Sequence, residues 1–343
     1  MKILRTAVVG AGRIGWKFHI PQVVSHEGFK LVAVVEPVQE RLDEVNAEFG
    51  VTGYHDFQHL LESETLDLVV IASPTHLHQQ QITAAFQHGC DVFCDKPLAP
   101  TLEHVDQLID AMQQHRRKLM LYQPHRGRRE AVSLQAMLKK QLIGPVYMIK
   151  RERYAYLRRN DWQALKKFGG GMLNNYGAHY IDQLLYLAQS PAKRIHCVLR
   201  RIVSFGDAED VVKVVIETES GLVLDLDINM ASAFPMTPWR ILGQRGSILL
   251  DEAEQVWRVK YYYQRDLPDI AVHPELAAPN RMYSSGEVIP WREKSIPLSD
   301  YEEVDYYQKC YDYFALNREP FVPIQETREV MRVIEECRKN NAG

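Results

Sequence analysis

Long apolar runs are missing from this 343-residue chain. No stretch approaches the ~18 uninterrupted apolar residues of a membrane-crossing helix, so no membrane partner is expected. The first apolar stretch is too short for a secretory leader and runs into Gly10 instead of a cleavage site. Cysteine is scarce: Cys90, Cys94, Cys197, Cys310 and Cys337 are odd in number and scattered. That usage fits reduced thiols and a cytoplasmic location. No cluster of His and Cys completes a zinc-type spacing, so no metal is expected. Net charge is also small, at −3 from 41 basic and 44 acidic residues. With no recognised nucleic-acid motif, that balance argues against a nucleic-acid partner. Internal repeats and low-complexity tracts are absent as well.

What remains is ordinary for a globular protein, with 46% hydrophobic and 25% charged residues. The length exceeds the roughly 250–300 residues at which single cores stop growing, so two domains are expected, 1–123 and 124–343. The first alternates strand and helix. Strands are expected at 4–9, 30–35, 66–72, 91–94 and 118–122, with helices at 13–27, 38–49, 77–88 and 101–115. This alternation marks a doubly wound parallel sheet of the Rossmann kind. After Tyr122 the pattern changes. A helix over 129–142 precedes alternating runs at 146–156, 194–205, 211–219 and 222–233, with hairpin signals at Gly221 and Gly246. One helix over 177–189 follows Gly169-Gly170-Gly171. The fold class is therefore α/β, with a second α+β domain built on a large, mostly antiparallel open sheet. Residues 264–297 read as a long loop region. Two helices close the chain at 300–316 and 325–339 and are candidates to pack back on the first domain.

Gly10-Ala11-Gly12-Arg13-Ile14-Gly15 ends the first strand and opens a helix, the setting in which a glycine motif holds a dinucleotide pyrophosphate. Gly10 permits the turn, Gly12 lets the backbone approach the phosphates, and Gly15 lets helix and strand pack closely. Arg13 and Ile14 belong to the same loop, whose helix N-terminus offers free N–H groups. Glu36 ends the second strand 21 residues after Gly15, where an acid accepts hydrogen bonds from ribose hydroxyls. It is followed by Pro37 and not by an arginine, which favours NAD over NADP, although Arg41 is close. Ser73, Pro74, Thr75, His76 and His78 follow a strand at the ligand crevice. Of these, Ser73, Pro74, Thr75 and His78 are candidate cofactor contacts. Asp95-Lys96-Pro97 follows the next strand.

These motifs, together with Gly169–Asp182 and the closing Pro320-Phe321-Val322-Pro323 segment, resemble the glucose–fructose oxidoreductase, inositol dehydrogenase and rhizopine catabolism family (Gfo/Idh/MocA). The resemblance spans nearly the whole chain. It implies that Lys96, with Asp95 helping to place it, lies beside the nicotinamide and hydrogen-bonds the reacting oxygen. A fixed cation there would stabilise an alkoxide. It also implies that His179 is the catalytic histidine. At the first turn of the expected helix, the dipole would keep its ring neutral. Asp182 shares that face and would orient the ring or tie the helix to its neighbours. One position departs from the family pattern: Asn175 stands where an aspartate is usual, four residues before His179. An amide there can bind substrate hydroxyls or orient His179 but carries no charge.

The remaining substrate candidates are Gln123, Arg126, Arg153, Tyr156 and Trp162, alongside Asn175 and His179. They lie in or beside a basic stretch, 116–167, with fifteen Lys or Arg against three acids. That stretch reads either as a solvated face or as a rim that steers an anionic substrate. The expected activity is NAD-dependent hydride transfer to or from a sugar, sugar acid or cyclitol, with Lys96 and His179 as acid–base groups. One alternative is an enzyme that retains NAD while transiently oxidising a sugar during glycosidic cleavage or elimination. A second is a non-catalytic NAD-binding regulator. The resemblance also implies a homodimer or homotetramer through the second sheet.

Overall fold

The computed structural model describes residues 2–271 and 287–341. The first domain is built from short β-branched runs that are buried on both faces, the pattern a covered parallel sheet requires. Strands β1 (Leu4–Val9), β2 (Phe29–Val35), β3 (Thr52–Tyr54), β4 (Leu68–Ile71), β5 (Asp91–Asp95) and β6 (Leu119–Tyr122) form one sheet. Its order is β3-β2-β1-β4-β5-β6 and every pair is parallel. Helices α1 (Ile20–Ser25), α2 (Gln39–Phe49), α3 (Phe57–Ser63), α4 (Thr75–Gln87) and α5 (Leu102–Gln114) make the crossovers. Strand order reverses between β1 and β4, which opens a crevice beyond their carboxyl ends.

The second sheet has eight strands in the order β14-β13-β12-β11-β7-β10-β9-β8. In chain order these are β7 (Val146–Tyr154), β8 (Ala192–Arg200), β9 (Val211–Thr218), β10 (Val223–Asn229), β11 (Trp239–Gly243), β12 (Gly246–Asp251), β13 (Val256–Tyr261) and β14 (Arg292–Pro297). All pairs are antiparallel except β7 with β10. Helices α6 (Arg129–Lys139), α7 (Ala178–Ala188) and α9 (Ile324–Lys339) belong to the layer on its inner face, while α8 (Tyr306–Leu316) and α9 return to the first domain.

Several expectations change. The helix expected over 13–27 begins with a wide π-type turn at Gly15–His19 before α1. A similar turn at Leu173–Gly177 runs directly into α7. Strand β3 and helix α3 were not anticipated. Strand β3 is a three-residue edge with little apolar content, and α3 spans two turns started by Asp56, whose carboxylate accepts from His59 N. Strand β14 falls inside the stretch read as loop. It is a wet edge strand without apolar alternation. Residues 272–286 of that stretch lie outside the described residues.

Arg126, a substrate candidate from the sequence, is engaged in a buried ion-pair network. Its guanidinium is buried and grips Asp182 with two hydrogen bonds of 2.6 Å, while Glu326 from α9 takes a third. Tyr186 stacks against the same guanidinium. Asp182 is thereby committed to Arg126 and leaves His179 to other partners. Removing one member of such a pair strands a buried charge, so Asp182→Ala should lower unfolding free energy by about 3–5 kcal/mol. Denaturant midpoints measure this, and an unchanged midpoint would show that the pair is dispensable.

Candidate active site

The glycine loop has the shape that its sequence demands. Gly10 sits at φ +98°, and a Cβ there would meet the Ala72 carbonyl oxygen at 2.9 Å. A Cβ on Gly15 would fall 1.8 Å from the Gly10 oxygen, so only glycine closes this turn. Around Gly12 nothing lies within 4 Å of the same position, leaving that side of the backbone open for a ligand. Arg13 is exposed and Ile14 half-buried on the loop. Glu36 is buried at the end of β2, and its carboxylate accepts from Ala11 N at 2.9 Å and Val38 N at 3.2 Å. Arg41 pairs with the same carboxylate at 3.3 Å. The loop, its open glycine and the acid at the neighbouring strand end thus fit a dinucleotide.

Ser73, Pro74 and Thr75 follow β4 across the crevice, with Ser73 Oγ held by Gln81 and Thr75 opening α4. His78, a cofactor candidate from the sequence, turns inward. Its ring is buried, Nε2 faces the Ser73 carbonyl at 2.9 Å, and Nδ1 faces the Pro97 carbonyl at 3.0 Å. The neutral ring has one N–H and so donates to one of these carbonyls, and it lies buried between the two loops.

Lys96 follows β5, and its peptide bond to Pro97 is cis. The Asp95 carboxylate accepts from Lys96 N at 2.8 Å and so shapes the turn. Lys96 Nζ crosses to the second domain and donates to the Asn175 carbonyl at 2.8 Å. Asn175 itself donates through Nδ2 to Gln163 Oε1 at 3.2 Å. Burial lowers the Lys96 pKa, opposed by the Asp95 charge.

His179 lies one turn beyond Asn175. The helix dipole does not act on it as expected, because the π-type turn places more helix before it and no free N-terminus faces the ring. Burial is the main reason its pKa falls well below the ordinary value; the charges of Lys96 and Arg128 and the neighbouring His125 add to the effect. The ring is neutral at pH 7, from a different cause. Its Nδ1 sits 2.8 Å from Gln123 Oε1, and the His125 ring lies against it with centroids 4.2 Å apart. Gln123 is buried, with its side-chain amide engaged by His179 and the Ala178 carbonyl.

His125 escaped the sequence reading. It is one residue in a short turn after β6, and no pattern marks it. The basic stretch is largely absorbed by structure: Arg151 is held between Tyr180 and Trp239, and Lys150 pairs with Asp225. Arg153 stays exposed over the Tyr176 ring, which stacks on Tyr180 beside His179. Tyr156 and Trp162 are strongly exposed, and no contact joins either to Lys96 or His179. Instead Gln163, next to Trp162, reaches Asn175.

A Rossmann glycine loop, a strand-end acid and a lysine–histidine pair across a domain junction define an NAD-binding oxidoreductase. Residues 4–123 match the family described as an oxidoreductase family with an NAD-binding Rossmann fold, and residues 132–249 match the GFO/IDH/MocA C-terminal domain. The chain belongs to the Gfo/Idh/MocA family. It is 25% identical to the 2,7-anhydro-N-acetylneuraminate hydratase of Mediterraneibacter gnavus over 73% of this chain and 68% of that one. It is also 25% identical to the inositol 2-dehydrogenase of Pseudarthrobacter chlorophenolicus, over 67% of this chain and 68% of the relative. The crystal structure of an NAD-binding protein from Listeria innocua superposes with a TM-score of 0.82 at 22% identity, covering 99% of this chain and 96% of the other.

Burial and the surrounding cations push His125 down to about 3. The unfolded chain protonates this residue below pH 6.5, whereas the folded chain does so only near the lower value. Stability is thus fully present above pH 6.5 and lost as pH falls toward 3. At pH 5 the loss from this residue alone is about 2 kcal/mol. His125→Phe should therefore flatten the fall of melting temperature between pH 7 and pH 5. An unchanged slope would mean that His125 is protonated in the folded protein.

Proposed function

We propose that the protein is an NAD-dependent dehydrogenase acting on a hydroxyl of a sugar, sugar acid or cyclitol. The observation that carries this reading is the hydrogen bond from Lys96 Nζ to the Asn175 carbonyl, one turn before His179, which brings the lysine's charge to bear on the histidine. Gly10, Gly12, Arg13, Ile14, Gly15, Glu36 and the Ser73–Thr75 segment would hold NAD. Bound NAD supplies the hydride acceptor. The Glu36 carboxylate beside the glycine loop would repel a 2′-phosphate, which supports NAD over NADP.

Neutral His179 takes the hydroxyl proton, and Lys96 stabilises the alkoxide by charge and hydrogen bonding. No carboxylate faces His179, so its protonated ring is a strong acid. The same pair thus serves proton delivery to a carbonyl in the reverse direction. Arg128 and Arg153 make no ion pair among the described residues and flank the histidine and its neighbouring tyrosines. This supports an anionic substrate such as a sugar acid. The relatives named as an inositol dehydrogenase and an anhydro-sialic acid hydratase fall within this range of carbohydrate-like compounds.

The hydratase relative and the uncharged Asn175 also favour a second reading, in which NAD is reduced and reoxidised within one cycle. Product change without net NADH distinguishes it. Assays with NAD and with NADP against sugars, uronic acids and cyclitols should show NADH formation with one substrate class. Lys96→Ala and His179→Ala should each lower turnover by about 10²-fold or more. Full turnover in both variants would overturn the assignment.

A further inference from the structure

The pair of hydrogen bonds made by the Gln123 amide settles a question that the position of His179 leaves open. A neutral imidazole carries its proton on one nitrogen, and only the other can act as a base. Gln123 Oε1 lies 2.8 Å from His179 Nδ1, and Gln123 Nε2 lies 3.3 Å from the Ala178 carbonyl oxygen. A backbone carbonyl only accepts, so it requires the NH₂ end of the amide. The amide oxygen is then left to face Nδ1. Because that oxygen also only accepts, Nδ1 must be the protonated nitrogen. The reversed amide would set two oxygens against each other in a buried place.

The backbone that carries this amide is itself held. Gln123 N donates to the Tyr306 hydroxyl at 2.9 Å, and that hydroxyl donates to the Leu121 carbonyl at 2.8 Å. His125 closes one face of the imidazole, and its own backbone carbonyl accepts from Gln183 Nε2 at 2.7 Å. His179 Nε2 makes no hydrogen bond among the described residues, and the residue keeps 9% of its surface exposed. We infer that Gln123 is a positioning residue that holds His179 as the Nδ1–H tautomer and so presents Nε2 to the substrate.

This role explains why an amide suits the position. A carboxylate would meet the Ala178 carbonyl oxygen with like charge. It would also place an anion among Lys96, Arg128 and His125, the groups that bear on His179, while Asp182 is already neutralised by Arg126. Orientation here comes without charge, so the histidine is fixed in tautomer but kept weakly basic. The inference rests on His179 as the proton acceptor for its catalytic meaning. The tautomer is separately observable.

Nitrogen-15 NMR of the histidine-labelled protein tests it, with the His179 signals among the 13 histidines assigned by comparison with His179→Gln. The expected wild-type spectrum at pH 7 has a protonated Nδ1 and an unprotonated Nε2. Gln123→Leu should mix the tautomers and lower kcat by about tenfold or more with little change in KM. Gln123→Glu should keep the Nδ1–H tautomer and move the acidic limb of the rate profile to higher pH. A wild-type Nε2–H tautomer, or an unaltered tautomer and kcat in Gln123→Leu together with an unmoved profile in Gln123→Glu, would overturn the inference. If the tautomer behaves as stated but His179→Gln keeps full turnover, the positioning stands and the base assignment falls.

Discussion

One charge-assisted hydrogen bond, from Lys96 Nζ to the Asn175 carbonyl, joins the halves of the site. The lysine comes from the end of β5 and the histidine from the start of α7, so their separation is set by how the domains lock. The C-terminal helix supplies much of that lock. Arg338 donates to the Pro100 carbonyl beyond the lysine turn and to Asn174 Oδ1 beside Asn175. Further along α9, Glu335 accepts from Leu102 N and Arg328 forms a two-armed pair with Asp106 on α5. Helix α9 therefore braces the lysine turn and the histidine segment from behind. Arg126, gripping Asp182 and Glu326, ties α7 to the same helix.

The electrostatics of the site follow from what is missing near His179. Where a carboxylate could have oriented the ring, the chain places Gln123, and at the position four residues earlier it places Asn175. Both are neutral amides. Burial and Lys96 lower the histidine pKa, and no nearby anion raises it. Negative charge is held elsewhere, at Asp95 behind the lysine turn and at Glu36 beside the glycine loop. The result is a net positive surrounding for His179, with an acid beside the glycine loop.

Much of this was legible in the sequence because it depends on local pattern. Continuous β-branched runs marked the parallel sheet, and alternation marked β9 and β10. The glycine loop was readable since each glycine answers a steric demand of the turn. Legibility failed where a residue's meaning lies in a distant partner. Arg126 read as a substrate group because Asp182, 56 residues away, is not visible as its partner from spacing. His78 and Gln123 look like crevice residues in the chain, yet they turn inward to backbone carbonyls and to His179. Strands β3 and β14 were lost for a different reason: edges wet on both sides need no hydrophobic period. The helix that carries His179 was found, but the π-type turn before it was not, and with it went the expected dipole effect.

A crystal structure with NAD bound tests the central claim most directly. The account predicts that Lys96 Nζ and His179 Nε2 both lie within about 6 Å of the reacting nicotinamide carbon, close enough to share a substrate oxygen. A nicotinamide seated with both groups farther away would contradict it.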